Sequence, residues 1–223
     1  VTFTGPVTAE ARVLVKPVGT AATTDYAIAI IGADWVTYDN IDVEDGGTST
    51  SNQIEYGYYV QPNGTANGAN NNTIKNANIT LGGGGTVPTF SHGVLQSAFT
   101  GQTVASNNNK YQNLKINKSD RGVAVFGLTA PALPTEDNIE ISGCTLGQTT
   151  YIGSALAGSS AIGIIISNGK NAQVFNNNVV SVQCPSTTAT GSPIGLSCQN
   201  SSGRFYNNYI RDVFTGSLTS AAT

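Results

Sequence analysis

The chain has 223 residues, a net charge of −3 and 10% charged residues, against a usual level of about 25%. With no basic run it lacks the footprint of a nucleic-acid binder. With no apolar run near about 18 residues it carries no helical membrane span. Asn, Thr, Ser and Gly take the place of charge, and such a surface stays wet through amides and hydroxyls, a composition suited to the outside of a cell. Methionine is absent, even at position 1, so the expectation is a piece of a longer, processed protein.

In chain order, Val1-Thr2-Phe3-Thr4 alternates and is strand-prone, and Arg12-Val13-Leu14-Val15-Lys16 reads as a strand of an early coil. Ala27-Ile28-Ala29-Ile30 then opens a unit made of a small residue followed by apolar, any, apolar. It returns as Gly57-Tyr58-Tyr59-Val60, Gly93-Val94-Leu95-Gln96, Gly122-Val123-Ala124-Val125, Gly163-Ile164-Ile165-Ile166 and Gly195-Leu196-Ser197-Cys198. Period-2 alternation over so few residues means short, half-buried strands. Glycine at the head of each marks a place that a side chain would obstruct.

A second unit interleaves with the first. It begins Tyr38-Asp39-Asn40-Ile41-Asp42-Val43 and Ile74-Lys75-Asn76-Ala77-Asn78-Ile79. It continues with Tyr111-Gln112-Asn113-Leu114-Lys115-Ile116 and Ile141-Ser142-Gly143-Cys144-Thr145-Leu146, and ends with units starting at Phe175 and Tyr206. Successive starts lie 36, 37, 30, 34 and 31 residues apart, the period of a solenoid. Turn-rich inserts (46–52, 62–72, 82–88, 130–136) vary in length while the units keep register, as loops on a solenoid do. Stacking predicts an apolar column of Tyr38, Ile74, Tyr111, Ile141, Phe175 and Tyr206. It also predicts an asparagine column of Asn40, Asn76, Asn113, Asn177 and Asn208, broken by Gly143. Asparagine tolerates the left-handed backbone of a tight bend, and its amide can bond its equivalent one coil away.

These repeats resemble the right-handed parallel β-helices of the pectate-lyase-like superfamily, over roughly residues 27–213. The resemblance implies secreted polysaccharide lyases or hydrolases, phage tailspikes, adhesins and surface-layer modules. The expected fold is all-β: a right-handed parallel β-helix of about six to seven coils with projecting inserts, one domain spanning 1–223. Right-handedness follows from the crossover preference of parallel strands.

Chemistry is harder to locate. Lyases resembling this family hold calcium with carboxylates and use Arg or Lys as base, whereas hydrolases use two carboxylates. Asp42, Glu44 and Asp45 are the candidate set for a weak calcium site, yet Asn78, Lys115 and Thr145 stack above Asp42, so no carboxylate column forms. Ser91-His92-Gly93 resembles the Gly-His-Gly of polygalacturonase-like hydrolases but departs at its first position, with no Asp-Asp pair nearby. Asp120-Arg121 and Arg211-Asp212 read as surface ion pairs. No catalytic residue is assigned.

Outward positions on the glycine-headed strands are Ala29, Tyr59, Leu95, Ala124, Ile165 and Ser197. Tyr59, Leu95 and Ile165 would form an apolar strip unusual in water, covered by the protein's own inserts or open to a partner chain or glycan. Cys144 falls at an inward position and reads as a buried thiol. Cys184 and Cys198 bracket a loop and form the candidate disulfide; zinc is disfavoured with one histidine and no C-x-x-C. The functional expectation is a structural or adhesive module of a bacterial surface or secreted protein. Its partners would be neighbouring domains or subunits at open coil ends, or a polysaccharide. The alternative is a carbohydrate-active enzyme, lyase or hydrolase.

Overall fold

The computed structural model describes residues 1–6, 12–20, 24–83, 87–88, 90–98, 102–128, 135–153, 160–184 and 192–215. Its strands form three long sheets that the chain visits in rotation, making a parallel β-solenoid of about six turns. The first sheet stacks Thr2–Thr4, Thr37–Asp39, Thr73–Lys75, Lys110–Gln112, Glu140–Ser142, Ala172–Phe175 and Gly203–Tyr206. The second stacks Val13–Val15, Ile41–Glu44, Asn78–Thr80, Lys115–Asn117, Thr145–Leu146, Asn178–Val179 and Tyr209–Ile210. The third stacks Tyr26–Ile31, Tyr56–Gln61, His92–Ser97, Arg121–Phe126, Ile162–Ser167 and Ile194–Gln199. Among the described residues there is no helix, hence none long and apolar enough to cross a membrane.

Two inward columns form most of the core. One runs Phe3, Tyr38, Ile74, Tyr111, Ile141, Val174 and Phe205; the other runs Val15, Val43, Ile79, Ile116, Leu146, Val179 and Ile210. Away from the ends these side chains are nearly all fully buried, each worth about 1.5–3 kcal/mol of hydrophobic stabilisation. The expected column is thereby corrected in its last two coils, where Val174 and Phe205 replace Phe175 and Tyr206. Phe175 and Tyr206 instead pair on the outer face with their rings stacked, centroids 5.1 Å apart.

The same one-residue shift corrects the asparagine column. Asn40, Asn76, Asn113, Gly143, Asn176 and Asn207 all have φ between 53° and 65°; these, and not Asn177 and Asn208, take the left-handed bend. Asn177 is buried one position later. There its Nδ2 donates to the Ile141 carbonyl and its Oδ1 accepts from the Cys144 amide. A second left-handed column, absent from the sequence reading, runs Asn71, Asn108, Asn138 and Asn171 at the entry to the first sheet. Asn138 Nδ2 donates to Asn108 Oδ1 at 3.0 Å, and Asn108 Nδ2 to Asn71 Oδ1 at 3.1 Å. Amides thus ladder along the axis and satisfy one another.

The glycine column has a different cause. A Cβ at Gly57, Gly93, Gly122 or Gly163 would meet Ile79, Ile116, Leu146 or Val179 of the second sheet at 1.9–2.7 Å. None of these four glycines has positive φ. They are required because two sheets meet at a corner too close for a side chain, which Ala27 takes up only in the first of these coils.

Candidate functional site

The three candidate calcium ligands do not converge. Asp42 is held by Arg12 through two contacts, Nε to Oδ2 at 2.6 Å and Nη2 to Oδ1 at 2.5 Å, and also accepts from the Asn78 amide and side chain. Burial pushes its pKa up but the Arg12 and Asn78 hydrogen bonds outweigh it, so the net shift is downward. Glu44 pairs with Lys16 at 2.5 Å. Asp45 is buried and accepts from the amides of Gly47, Ile54 and Gly83, tying the insert after its strand to the next coil. Among the described residues no three His, Cys, Asp or Glu side chains are placed to share an ion.

The strip of Tyr59, Leu95 and Ile165 stands in the expected register on the outer side of the third sheet. It is not open, however: all three are buried in a second hydrophobic cluster with Ala124 and Ile162, packed by Tyr56, Phe126 and Ile194. Cys184 and Cys198, the candidate disulfide, are not bonded to each other in this structure. Cys184 is buried with its sulfur accepting from the Ala161 amide, while Cys198 is exposed on the last strand of the third sheet. Cys144 is buried at its inward position, and burial pushes its thiol up to about 12.

The structure brings together two groups the sequence held apart. His92 and Arg121 are register partners on adjacent coils, with Arg121 Nη1 3.3 Å from His92 Nε2. A guanidinium only donates, so Nε2 accepts and the imidazole proton sits on Nδ1. Burial, then the Arg121 charge, push the His92 pKa down to about 3, with the Phe90 carbonyl pulling weakly the other way. His92 packs edge-on against Tyr56 and Phe126, and the Arg121 guanidinium lies 5.7 Å from the ring centres of Phe90 and Phe126. Among the described residues no group meets hydrogen-bond geometry at His92 Nδ1 or at Arg121 Nε, although the Phe90 carbonyl lies near enough to the imidazole to favour its protonation. Asp120 and Arg121 interact from inside the fold rather than at the surface, the Asp120 charge raising the Arg121 pKa against the larger lowering by burial. Asp120 is buried, and its Oδ2 accepts from the Phe90 amide. Arg211 and Asp212 do pair, exposed, at 2.5 Å.

A buried polar chain lies deeper. Glu136 accepts from Gln96 Nε2 and the Ser106 amide, while Gln96 Oε1 accepts from Tyr111 Oη and Asn109 Nδ2. Burial raises the Glu136 pKa to about 8, and its Oε1 has no partner among the described residues.

Most of the exposed large hydrophobic side chains among the described residues stand in the first and last coils of the solenoid. Phe3 and Val13 of the first coil are exposed although they stand in inward columns, as are Ile210 and Val213 of the last. Ile210 is 41% exposed, whereas its register partner Val179 is fully buried. Leu14 and Tyr209 add exposed apolar area beside them. No family model, no curated protein and no solved structure matches the chain.

Proposed function

We propose that the chain is a structural or adhesive solenoid module of a secreted or cell-surface protein, working by end-to-end contact with another parallel coil from a neighbouring domain or subunit. The observation that carries this reading is the exposure of core columns in the first and last described coils. A strand pair and an apolar column offered together are what a further coil of the same kind would cover. Head-to-tail contact of this sort does not close on itself, so it extends into fibres. Placement in the pectate-lyase-like superfamily belongs to the same proposal, supported by the recurring units and the asparagine bends. An extracellular setting is supported by the low charge and the amide- and hydroxyl-rich composition.

Sedimentation velocity over a wide concentration range tests it. The expected result is concentration-dependent growth to elongated species. A monomer at all concentrations, with terminal amides protected from hydrogen exchange, overturns it.

A second reading, a carbohydrate-active enzyme acting on acidic polysaccharide, is favoured by the His92–Arg121 pair, whose Nδ1 and Nε meet no hydrogen-bond partner among the described residues. Rising absorbance of an unsaturated product from polyuronate would establish that reading in place of the first.

A further inference from the structure

Trp35 is the one tryptophan of the chain, and it is spent on the surface. It is 69% exposed and has φ 60°, a backbone region that large side chains rarely adopt and that costs free energy to hold. Its place in the fold is specific. Trp35 stands three residues before Tyr38, as Asn71 stands before Ile74, Asn108 before Tyr111 and Asn138 before Ile141. Its amide donates to the Asn70 carbonyl as the Asn71 amide does to that of Asn107. Trp35 therefore occupies the next rung of the outer asparagine ladder, a position where asparagine would cost less and would bond its neighbour.

The consequence is a set of unused polar groups around an indole. The ladder runs from Asn138 through Asn108 to Asn71 and stops, so the Asn71 side-chain NH2 donates to no described residue. An open groove of about 380 Å³ lies here, lined by Trp35, Thr37, Asn71, Thr73, Asn108 and Lys110. Thr37, Thr73 and Lys110 are register neighbours on three successive coils. The Thr37 and Thr73 hydroxyls bond no described residue, and Lys110 keeps only a 3.8 Å contact to Glu140. A flat apolar ring beside free hydroxyls and an amide donor matches one chemistry well: a pyranose. Its C–H face covers the indole while its hydroxyls take the polar groups.

We propose that this groove is a subsite for a pyranose ring of an oligosaccharide, with Trp35 as the stacking platform and Asn71, Thr37 and Thr73 as hydroxyl partners. The inference rests on the reading of the chain as a display module and moves the contact from the solenoid's ends to its side. Successive coils rise about 4.8 Å, so Lys110 stands two coils from Thr37 and is the group that would meet a uronate carboxylate on the same or the next sugar.

Fluorescence excited at the red edge, where the nine tyrosines do not absorb, reports on Trp35 alone. The protein is titrated with neutral xylo- and cello-oligosaccharides and, separately, with oligogalacturonate. A saturable shift in emission with either is expected; unaltered emission with both overturns the proposal. Lys110→Gln weakening only the acidic arm, by about tenfold, assigns the ligand as a uronate, and equal binding of the neutral arm assigns a neutral glycan. Asn71→Asp keeps a residue tolerant of the left-handed backbone but removes the donor, and Thr73→Val removes a hydroxyl; together they should weaken binding about tenfold or more. Trp35→Asn completes the ladder, so melting should be unchanged or raised while calorimetric binding is lost. A Trp35→Asn protein that binds as the parent does overturns the proposal. Sedimentation under the same conditions keeps this outcome separate from that of end-to-end assembly.

Discussion

The middle coils and the end coils are built from the same two units, yet they present their columns to opposite surroundings. Leu146, in the middle, lies between Ile116 and Val179 and is fully buried; Ile210, two coils further on, holds the same column position and is 41% exposed. The glycines record the same contrast. A Cβ at Gly57, Gly93, Gly122 or Gly163 meets the carbonyl of the next glycine in the column, whereas at Gly195 its three nearest atoms belong to the side chains of Ile210 and Val213. A solenoid's stability is a sum over nearest-neighbour interfaces. One motif can thus be core in one coil and contact surface in another, without any change of residue type.

The largest expected effect is a cavity in the middle. Leu146→Ala should cost about 3–5 kcal/mol in urea-induced unfolding, and Ile210→Ala about 1 kcal/mol or less at low protein concentration. Equal losses would mean that the last coil is covered, and would break the comparison.

Overpacking gives the next contrast. A Cβ on residue 122 would lie 1.9 Å from Leu146 Cδ2 and 2.4 Å from the Gly163 carbonyl oxygen, and the backbone oxygen cannot turn aside. Gly122→Ala should therefore cost about 2–3 kcal/mol. Gly195→Ala should cost about 1 kcal/mol, because the Ile210 side chain it meets at 2.3 Å is free to rotate at an open end.

A smaller effect separates the middle from the ends by pH. Burial holds the folded Glu136 carboxyl near 8, against 4.5 for an unperturbed group. Its contribution is present in full below about pH 4.5 and is lost as pH rises through about 8. Three pH units at about 1.4 kcal/mol per unit set an upper bound of about 4 kcal/mol; because the ionised carboxylate can relax toward water, melting curves between pH 5 and pH 8 should show a smaller loss, about 1–2 kcal/mol. Glu136→Gln should flatten that slope. A slope that survives the substitution would assign it to another group.

The columns were legible in the sequence because period-2 alternation and a recurring asparagine mark the strands and their bends. The slip in the last coils arose at Val174-Phe175-Asn176-Asn177-Asn178, where two apolar residues precede three asparagines and either register satisfies the pattern. The constant spacing of five between inward residues, Tyr38 to Val43 or Ile141 to Leu146, fits Val174 to Val179 and Phe175 to Val180 alike; it decides only in the last coil, where Phe205 to Ile210 is apolar at both positions and Tyr206 to Arg211 is not. The same register would have set Trp35 in line with Asn71, Asn108 and Asn138. Burial of Tyr59, Leu95 and Ile165 was not legible, because the outer face of a strand carries no sign of what packs over it. The His92–Arg121 pairing was within reach, since each stands immediately before its glycine, Gly93 or Gly122, in the aligned units. Separation along the chain likewise left Cys184 and Cys198 open, since thiol geometry depends on where two different sheets end.

The smallest effect on stability should be the most informative about assembly. Tyr209 and Ile210 end the second sheet, one facing outward and one inward, and both are exposed. In dilute solution, Tyr209→Ser with Ile210→Ser removes little buried area and should shift unfolding by less than about 1 kcal/mol. If these residues meet another coil, the same pair of substitutions removes apolar contact worth about 25 cal/mol per Å² covered. It should then move the concentration for half-assembly upward by tenfold or more in sedimentation. The matching change at the other end, Leu14→Ser, should do the same, because a head-to-tail contact uses both ends. An effect at only one end would point to a two-fold contact between like ends, which closes as a dimer and does not extend. No effect at either end would leave the terminal columns as plain surface and remove the stacking reading.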